Sequence, residues 1–552
     1  MSSRPNHGLF SDSYRAEIVQ ENHGQEELFS THAHSESRSE QRIQLKISPR
    51  NGIVEFVRLA IVVTAVLVLL SGPVSAESKP NIILILADDL GYGGLSCCSD
   101  PGYRTPHLDR LAKAGARFTQ FYVPTPGCAP TRAALLTGRY PFRSGMIRNP
   151  DPDHGLNDLG IPSGEILLSE ALQAAGYATA CVGKWHLGHR TKFLPTRNGF
   201  DEYYGILCSN SSRPAMLVEN EQVVEHPVVQ AQITRKYTAR ALRFIEQNAK
   251  RPFFLYLAHS MPHYPLAASD DFYTPDTPDD LYADVIREMD HSTGVILNRL
   301  GELNLNRNTM VIFTSDNGPW YGGHTGGLRG MKGSTFEGGI RVPMILRWPG
   351  VIPAGRRFDA PASVVDLFPT LLAAVGAAVP AGRVIDGEDL LPSLKGNSEP
   401  PARPIYSTAG ARVATVRMGR WKYHAIRPGF PRWTDNSFRP FKPDGVTIIA
   451  PKEQYPGTAF PGPLDGDPPR PGMLFDLQRD PAEKRNVASA NPKVVSRLKR
   501  KIEQMATQVP EDLKMPQAGP FRRVLGPGRV TAENPLLLDK VSFEGGRPSA
   551  MK

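Results

Sequence analysis

Two pairs of oxygen ligands, one cysteine and a few cations carry the chemistry available to this sequence. Asp88-Asp89 closes an apolar run, NIILILADD, and Asp316-Asn317 closes another, in TSDNG. Adjacent carboxylates repel, and at a strand end they are costly unless a cation sits with them. A single Asp-Asp pair reads first as a solvated turn. Two oxygen-rich pairs at two strand ends can instead converge on one hard cation. All-oxygen ligation suits Ca²⁺, with Mg²⁺ as the alternative, rather than zinc. Cys128 lies in PGCAPTRAALLTGRYPFRSGM. Pro130 suits the first position of a helix running through TRAALLTG to Gly138. That puts Cys128 just ahead of a helix N-terminus, where free N–H groups and the dipole favour an anion. Arg132 lies four residues on and returns to the same face. From the residues alone, Cys128 reads equally as an activated thiol and as a buried, inert one.

The cations follow strands. Lys184 and His186, in GKWHLGHR, come directly after ATACV; His259 and His263, in HSMPHYP, come after FFLYLA. Lys332 sits in the glycine-rich GMKGSTFEGG, beyond the DNG block. Singly each is weak, since a lone His is more often structural and a lone Lys a surface residue. Together they set several cations beside the cation implied by the carboxylates. Such a site would bind and activate a tetrahedral dianion or an ester of one.

The elements that must position these groups alternate. After the NIILILADD strand, TPHLDRLAKAG reads as a helix with Thr105 as N-cap, Pro106 at its first position and Gly115 as stop. GEILLSEALQAAG predicts a helix and ATACV a strand. FFLYLA and MVIFTS predict strands separated by the amphipathic helix DDLYADVIREMDHSTGVILNRLGEL. PMILRW adds a strand and SVVDLFPTLLAAVG a helix. This order predicts an α/β fold, a mostly parallel sheet with helices on both faces. In such sheets ligands bind beyond the carboxyl ends of the strands, where the polar clusters fall. Past residue 400 the texture changes. RVATVRMGRWKYHAI predicts an antiparallel hairpin around Met418-Gly419, a Pro/Gly-rich stretch covers 428–472, and NPKVVSRLKRKIEQMATQV predicts a helix. The expected organisation is a leader at 1–76, a catalytic domain at 77–400 and a smaller C-terminal α+β subdomain with an irregular tail at 401–552.

The chain has 552 residues, 50 Gly and 51 Pro, ample for a large core with long loops. Its net charge is +9, a modest basic excess that favours anionic ligands. No Lys/Arg block is interleaved with aromatics, so nucleic acid is not an expected partner. The five cysteines, Cys97, Cys98, Cys128, Cys181 and Cys208, form no CxxC pair, which argues against structural zinc. Residues 59–70, LAIVVTAVLVLL, preceded by Arg58 and followed by Val74-Ser75-Ala76, read as a secretory signal segment. The mature N-terminus is then expected near Glu77, outside the cytoplasm, unless the segment stays uncleaved as an anchor. The polar, aperiodic residues 1–53 are expected to be disordered.

Cys128-Ala129-Pro130-Thr131-Arg132 matches C-x-P-x-R, and Ala133 to Arg139 continue the pattern. With the GKWHLG and DNG blocks in the same order, the chain resembles the formylglycine-dependent sulfatase family, and within it the arylsulfatases. The resemblance runs from about Lys79 to the FDLQRDPAEKRN block near residue 486. It implies an alkaline-phosphatase-like sheet and oxidation of Cys128 to Cα-formylglycine by a formylglycine-generating enzyme. It further implies a Ca²⁺ surrounded by Asp88, Asp89, Asp316, Asn317 and residue 128. Arg132 would stabilise the aldehyde hydrate and His186 would act as base. Lys184, His263 and Lys332 match sulfate-contacting and leaving-group positions, with His259 the lesser alternative to His263. Ser209, in GILCSN, is a looser match to another sulfate contact. The implied substrate is a sulfated small molecule or carbohydrate. Two other readings remain: a phosphonate monoester or phosphodiester hydrolase of the same superfamily, and a non-catalytic secreted binding protein on this fold.

Overall fold

Strand β1 (Asn81–Ala87) is buried along its whole length because protein covers both of its faces. Ile82, Leu84 and Leu86 belong to one apolar core, while Ile83, Ile85 and Ala87 belong to another. That is why its sequence is a continuous apolar run rather than an alternating one. The computed structural model describes residues 79–150, 159–212, 215–274, 281–320, 322–429 and 466–514. The leader with its apolar segment, most of the Pro/Gly-rich stretch and the C-terminal tail lie outside the described residues.

β1 stands near the middle of an 11-stranded sheet. The others are β2 (Ala116–Tyr122), β3 (Ala178–Gly183), β4 (Glu202–Gly205), β5 (Leu217–Glu219), β6 (Gln222–Glu225), β7 (Phe253–Ala258), β8 (Thr309–Ser315), β9 (Arg341–Arg347), β10 (Arg356–Phe358) and β11 (Ala362–Ser363). Their order is β10-β2-β9-β8-β1-β7-β3-β4-β5-β6, with β11 pairing β2. The centre, β8-β1-β7-β3-β4, is parallel. Antiparallel pairs flank it: β9 against β8 and β2 on one side, the short β5–β6 hairpin on the other.

Helices cover both faces. On one lie α1 (Pro106–Lys113), α4 (Ile233–Gln247) and α5 (Leu281–Glu302), contributing Leu108, Tyr237, Phe244 and Ile286 to its core. On the other lie α2 (Cys128–Thr137), α3 (Leu168–Ala174) and α6 (Leu367–Ala374), contributing Ala133, Leu136, Leu172 and Leu371. The α/β layering expected from the alternation is therefore present.

Local details differ from the sequence reading. α2 begins at Cys128, with Gly127 as N-cap. Pro130 occupies the third helical position rather than the first; proline is tolerated there because first-turn N–H groups have no partner within the helix. Thr105 precedes α1 but does not cap it. Its hydroxyl bonds Ser96 and Asp109, and the N–H groups of His107 and Leu108 donate to the Asp290 carboxylate on α5, at 3.1 and 2.8 Å. α3 starts four residues later than GEILL implied: the Leu167 N–H at its start donates to Glu170 Oε2 at 2.7 Å, and Glu165, ahead of the helix, pairs with Arg139 at 3.0 Å. β2 and α4 have no counterpart in the sequence reading.

The C-terminal part builds a separate four-stranded antiparallel sheet in the order β12-β13-β14-β15. Its strands are β12 (Ile405–Ala409), β13 (Arg412–Met418), β14 (Trp421–His424) and β15 (Met473–Asp476). Gly419, at φ 58°, makes the expected turn between β13 and β14. Helix α7 (Pro492–Ala506) lays Leu498 and Ile502 on this sheet, in a core that also takes Tyr140 and Phe142 from beyond α2.

A buried ionic network ties this sheet to the loop that carries Lys332. Lys422 on β14 pairs with Glu337 at 3.0 Å and Glu483 at 3.2 Å, and His424 contacts Glu483 at 2.7 Å. Arg329 donates to the backbone carbonyls of Glu483 and Asp467. Burial alone would raise the Glu337 carboxyl, but Lys422, Arg417 and Arg341 bring it down to about 2. Its contribution to stability is thus present above about pH 4.5 and is lost as pH falls toward 2. Lys422→Ala removes the ammonium shared by two buried carboxylates, leaving Glu337 to Tyr122 and Arg341 and Glu483 to His424. The expected cost is about 3–5 kcal/mol, with acid unfolding starting at higher pH than in the native protein. Equal denaturant midpoints for the two proteins would show that the network carries no such energy.

Candidate active site

Parallel register brings the separate sequence blocks to one edge of the sheet. Ala87 on β1 lies opposite Ser315 on β8, Leu86 opposite Ala258 on β7, and Gly183 on β3 opposite Ala258. The residues that follow these strands therefore leave side by side. Asp88, Asp89, Cys128, Arg132, Lys184, Asp316 and Asn317 are all fully buried there. His186, His263 and Ser209 are nearly so, and Lys332 is partly exposed.

The backbone makes room for this at some cost. Asp89 and His186 adopt left-handed conformations, φ 68° and 59°, that non-glycine residues seldom take. Gly183 is also left-handed, at φ 116°, and a Cβ there would lie 1.8 Å from the Ala258 carbonyl oxygen. At Gly318 of the DNG block a Cβ would come within 1.9 Å of the Gly338 carbonyl oxygen. Each glycine permits a close backbone approach that any side chain would block.

The charges interlock. Lys184 Nζ donates to Asp88 Oδ2 at 2.5 Å and Lys332 Nζ to Asp89 Oδ2 at 2.8 Å. Arg132, one helical turn beyond Cys128, pairs with Asp316 Oδ2 at 2.8 Å, lies 3.7 Å from Asp88 and donates to the Lys184 carbonyl at 2.7 Å. Cys128 Sγ is 3.6 Å from Asp88 Oδ1 and 3.9 Å from Asp89 Oδ1. Asn317 Nδ2 donates to Asp89 Oδ1 at 2.7 Å. His263 Nε2 is 3.8 Å from Asp89 Oδ2, and its Nδ1 lies 3.3 Å from Ser209 Oγ. Asp88, Asp89, Cys128, Arg132, Lys184, Asp316, Asn317, His263 and Lys332 thus join one cluster, Ser209 reaches it through His263, and the His186 ring lies within electrostatic reach of Lys184, Arg132 and Asp88. His259 makes no such contact: among the described residues neither ring nitrogen has a hydrogen-bond partner, and burial alone lowers it to about 4.

Burial and neighbouring charge set the protonation states. Burial pushes the Cys128 thiol up to about 12, despite Lys184 and Lys332, so an unmodified cysteine stays protonated at neutral pH. Burial and then Asp88 raise Asp316 to about 7. Burial would raise Asp88 too, but Lys184, His263, Arg132 and Lys332 hold it well below the carboxylate range. Burial, Lys184 and Arg132 keep His186 neutral, far below its usual value. Burial would lower Lys332, yet Asp89 holds it well above the lysine range.

The donor set fits a hard divalent cation. Asn317 Oδ1 is buried with no hydrogen-bond partner among the described residues, and the Asp89 carboxylate accepts from the same side chain. Ligand atoms of Asp88, Asp89, Cys128 and His263 fall within 4.8 Å of one another. Asp316 turns both oxygens to protein donors, Oδ1 to the Asp89 N–H at 3.1 Å and Oδ2 to Arg132. An oxygen-rich, thiolate-poor set of this kind favours Ca²⁺ or Mg²⁺ over softer metals.

Sequence reading missed the supports. Asn149 Oδ1 accepts the Ala129 N–H at 3.0 Å in the first turn of α2. Asn210 Nδ2 donates to the carbonyls of His263 and Pro265 at 3.2 and 3.3 Å, fixing the histidine loop. Neither has a signal in one sequence beyond being an Asn in a polar loop.

The comparisons with known proteins agree with this geometry. The family model described as Sulfatase matches residues 80–377, which holds every site residue above. N-acetylgalactosamine-6-sulfatase of Canis lupus familiaris is 38% identical over 467 residues, covering 78% of this chain and 85% of the relative. Human arylsulfatase A is 36% identical, over 79% of this chain and 89% of its own length. The crystal structure of Ps i-CgsB superposes with a TM-score of 0.66 at 31% identity, over 79% of this chain and 94% of that one. A buried Cys-x-Pro-x-Arg helix start among three carboxylates and three cations, on a sheet shared with these enzymes, makes the chain a sulfate ester hydrolase that belongs to the sulfatase family.

Proposed function

We propose that the chain hydrolyses sulfate monoesters of carbohydrates or aryl alcohols, with Cys128 first oxidised to Cα-formylglycine by a formylglycine-generating enzyme. The carrying observation is the place of Cys128, buried at the start of α2 against Asp88 and Asp89 with its thiol pushed up to about 12. Such a thiol is a poor nucleophile. An aldehyde hydrate offers two hydroxyls instead. One attacks sulfur in line and the bond from sulfur to the alcohol oxygen breaks, leaving a sulfate ester on residue 128. The second hydroxyl then gives its proton to His186, the carbon–sulfate bond breaks, and the aldehyde returns for rehydration by water. A neutral His186 beside the cluster supports its role as base. Arg132 steadies the hydrate, while Lys184, His263, Lys332 and Ser209 contact sulfate or the departing oxygen.

Asp88, Asp89, Asp316, Asn317 and residue 128 would hold Ca²⁺, which when bound supplies Lewis-acid stabilisation of negative charge. Relatives named for N-acetylgalactosamine-6-sulfate and a Ps i-CgsB complex with k-i-k-neocarrahexaose support a sulfated carbohydrate. Export rests on the apolar segment at 59–70 and Val74-Ser75-Ala76; N-terminal sequencing of native protein should begin near Glu77.

Mass spectrometry of the peptide containing residue 128 tests the central point. In aerobically made protein with the maturation enzyme present, an aldehyde reactive to hydrazides is expected. Fully active protein carrying only thiol would sink the mechanism. Replacing Asp316 by Ala should lower both measured metal content and activity, because Arg132 loses its partner and the cluster a carboxylate. Full activity in protein shown by direct analysis to be metal-free would remove the cation from the site. Faster turnover of an aryl phosphodiester than of an aryl sulfate would favour the phosphonate or phosphodiester reading.

A further inference from the structure

Outside the charged cluster, two reactive side chains stand next to each other. Cys97 and Cys98 are neighbours in sequence, both half-buried, and their sulfurs lie 3.8 Å apart. Successive side chains of an extended chain point to opposite sides, so only a turn brings neighbouring sulfurs together. The flanking residues build that turn. The Cys98 and Ser99 N–H groups both donate to the Leu95 carbonyl, at 2.9 and 3.1 Å. Ser96, just before the pair, bonds Thr105 Oγ1 and Asp109 on α1, each at 2.8 Å. Ser99, just after it, donates to the Gly93 carbonyl at 2.6 Å. Both thiols pack against the core that α1 and α5 cover and keep part of their surface toward solvent.

The two thiols are not equivalent. The hydrogen bond from Cys97 brings Cys98 below the ordinary thiol value, and the Arg117 and Arg341 charges add to this against the effect of burial. The same hydrogen bond, burial, and the charges of Cys98 and Asp109 raise Cys97. Cations from β2 and β9 therefore act on one sulfur and a carboxylate from α1 on the other. A thiolate-forming cysteine beside a protonated partner, both within reach of solvent, is the arrangement a reactive pair requires.

We infer that Cys97 and Cys98 form a redox-active vicinal dithiol, a covalent modification site that a small disulfide oxidant closes to a Cys97–Cys98 disulfide and a dithiol reductant reopens. The Cys98 thiolate attacks one sulfur of the oxidant, whose S–S bond breaks, and one half leaves as a thiolate that takes up a proton. Cys97 then gives its proton to solvent, its sulfur attacks the Cys98 sulfur of the mixed disulfide, and the second half leaves and is protonated in turn. Two electrons and two protons pass from the cysteines to the oxidant. Neighbouring Cα atoms are about 3.8 Å apart, closer than the about 4.4–6.8 Å of ordinary disulfides, so the small ring through the shared peptide bond is strained. Strained, accessible disulfides are labile rather than structural. In the exported location proposed above, disulfides form and persist. Sulfate ester hydrolysis at residue 128 is a separate reaction.

The test uses the full-length native chain, oxidised glutathione as oxidant and dithiothreitol as reductant. After oxidation, acid quenching and alkylation, the peptide carrying both cysteines is expected to be two hydrogens lighter than its dithiol form and to carry no alkyl group. Dithiothreitol should return two alkylatable thiols. Phenylarsine oxide, which bridges paired sulfurs, should protect both thiols of the reduced chain from alkylation, and either single serine variant should lose that protection. A serine hydroxyl at position 97 keeps a hydrogen bond to Cys98 but cannot resolve a mixed disulfide. Cys97→Ser should therefore trap glutathione on Cys98, about 10-fold or more faster than Cys98→Ser traps it on Cys97. Two free thiols after oxidation, glutathione retained on either residue of the native chain, or a bond from either to Cys181, Cys208 or a second chain overturns the inference. Faster trapping at Cys97 than at Cys98 overturns the assignment of the attacking thiol. The masses of the native chain decide the outcome even where a serine variant fails to fold.

Discussion

Cys128→Ala is expected to abolish sulfate ester turnover, a loss on the order of 10⁶-fold, in a protein that still folds. The residue is fully buried but its side chain is small, so truncation costs about 1 kcal/mol of packing. The ion pairs of Arg132 with Asp316 and Lys184 with Asp88 do not involve it and should persist. Cys128→Ser sharpens the expectation. A serine hydroxyl can take up sulfate, but it lacks the second hydroxyl through which the ester would be eliminated. That variant should release about one alcohol per enzyme and stall with a sulfated serine, visible as a mass increase on the peptide. Multiple turnover by Cys128→Ser at a rate near that of the native enzyme would show that the aldehyde hydrate is not needed.

The second large effect separates the two histidines. An alcohol leaving sulfur develops negative charge on oxygen, and a positioned acid relieves it by about 10²–10⁴-fold. A sugar alkoxide needs that help, whereas nitrophenolate leaves nearly unaided. His263→Ala should therefore cut activity on a sugar sulfate far more than on nitrophenyl sulfate. His186→Ala should slow both alike and let a sulfated enzyme accumulate, because elimination from residue 128 is common to all substrates. The structure adds a rival to the first assignment. Burial and Lys332 lower His263 to about 4, so the free enzyme presents a neutral imidazole there. Lys332, held well above the lysine range chiefly by Asp89, keeps its proton. His263 can serve as acid only if the negative charge of bound substrate raises it. Equal losses on both substrate types for His263→Ala would assign it to sulfate binding, and the same leaving-group comparison on Lys332→Ala would then identify the acid.

Much of this was legible in the residues because strong local signals coincide with the chemistry. Continuous apolar runs such as Ile82–Leu86 mark strands buried on both faces, and the blocks that follow those runs carry the polar groups. Strand–helix alternation gave the α/β layering, and Gly419 gave the turn between β13 and β14. The candidate ligands, oxygen-rich and without a CxxC pair, were legible as a set that suits a hard cation better than zinc, and the structure brings them together.

What the sequence by itself determined, then, is the inventory: the candidate residues and the strands that precede them. Tertiary structure alone decided how they meet. Pairing of Ala87 with Ser315 and Leu86 with Ala258 depends on backbone hydrogen bonds between segments more than 170 residues apart, and no local preference encodes that register. The left-handed turns at Asp89 and His186 are imposed by neighbours rather than by residue type. The same holds for His259 and His263, which are four residues apart in one loop and look alike in sequence. Only packing sends one ring into the charged cluster and buries the other without a hydrogen bond. It holds again for Lys422, Glu337 and Glu483, unremarkable alone, whose burial together fixes the Lys332 loop to the second sheet because none can be left without its partner.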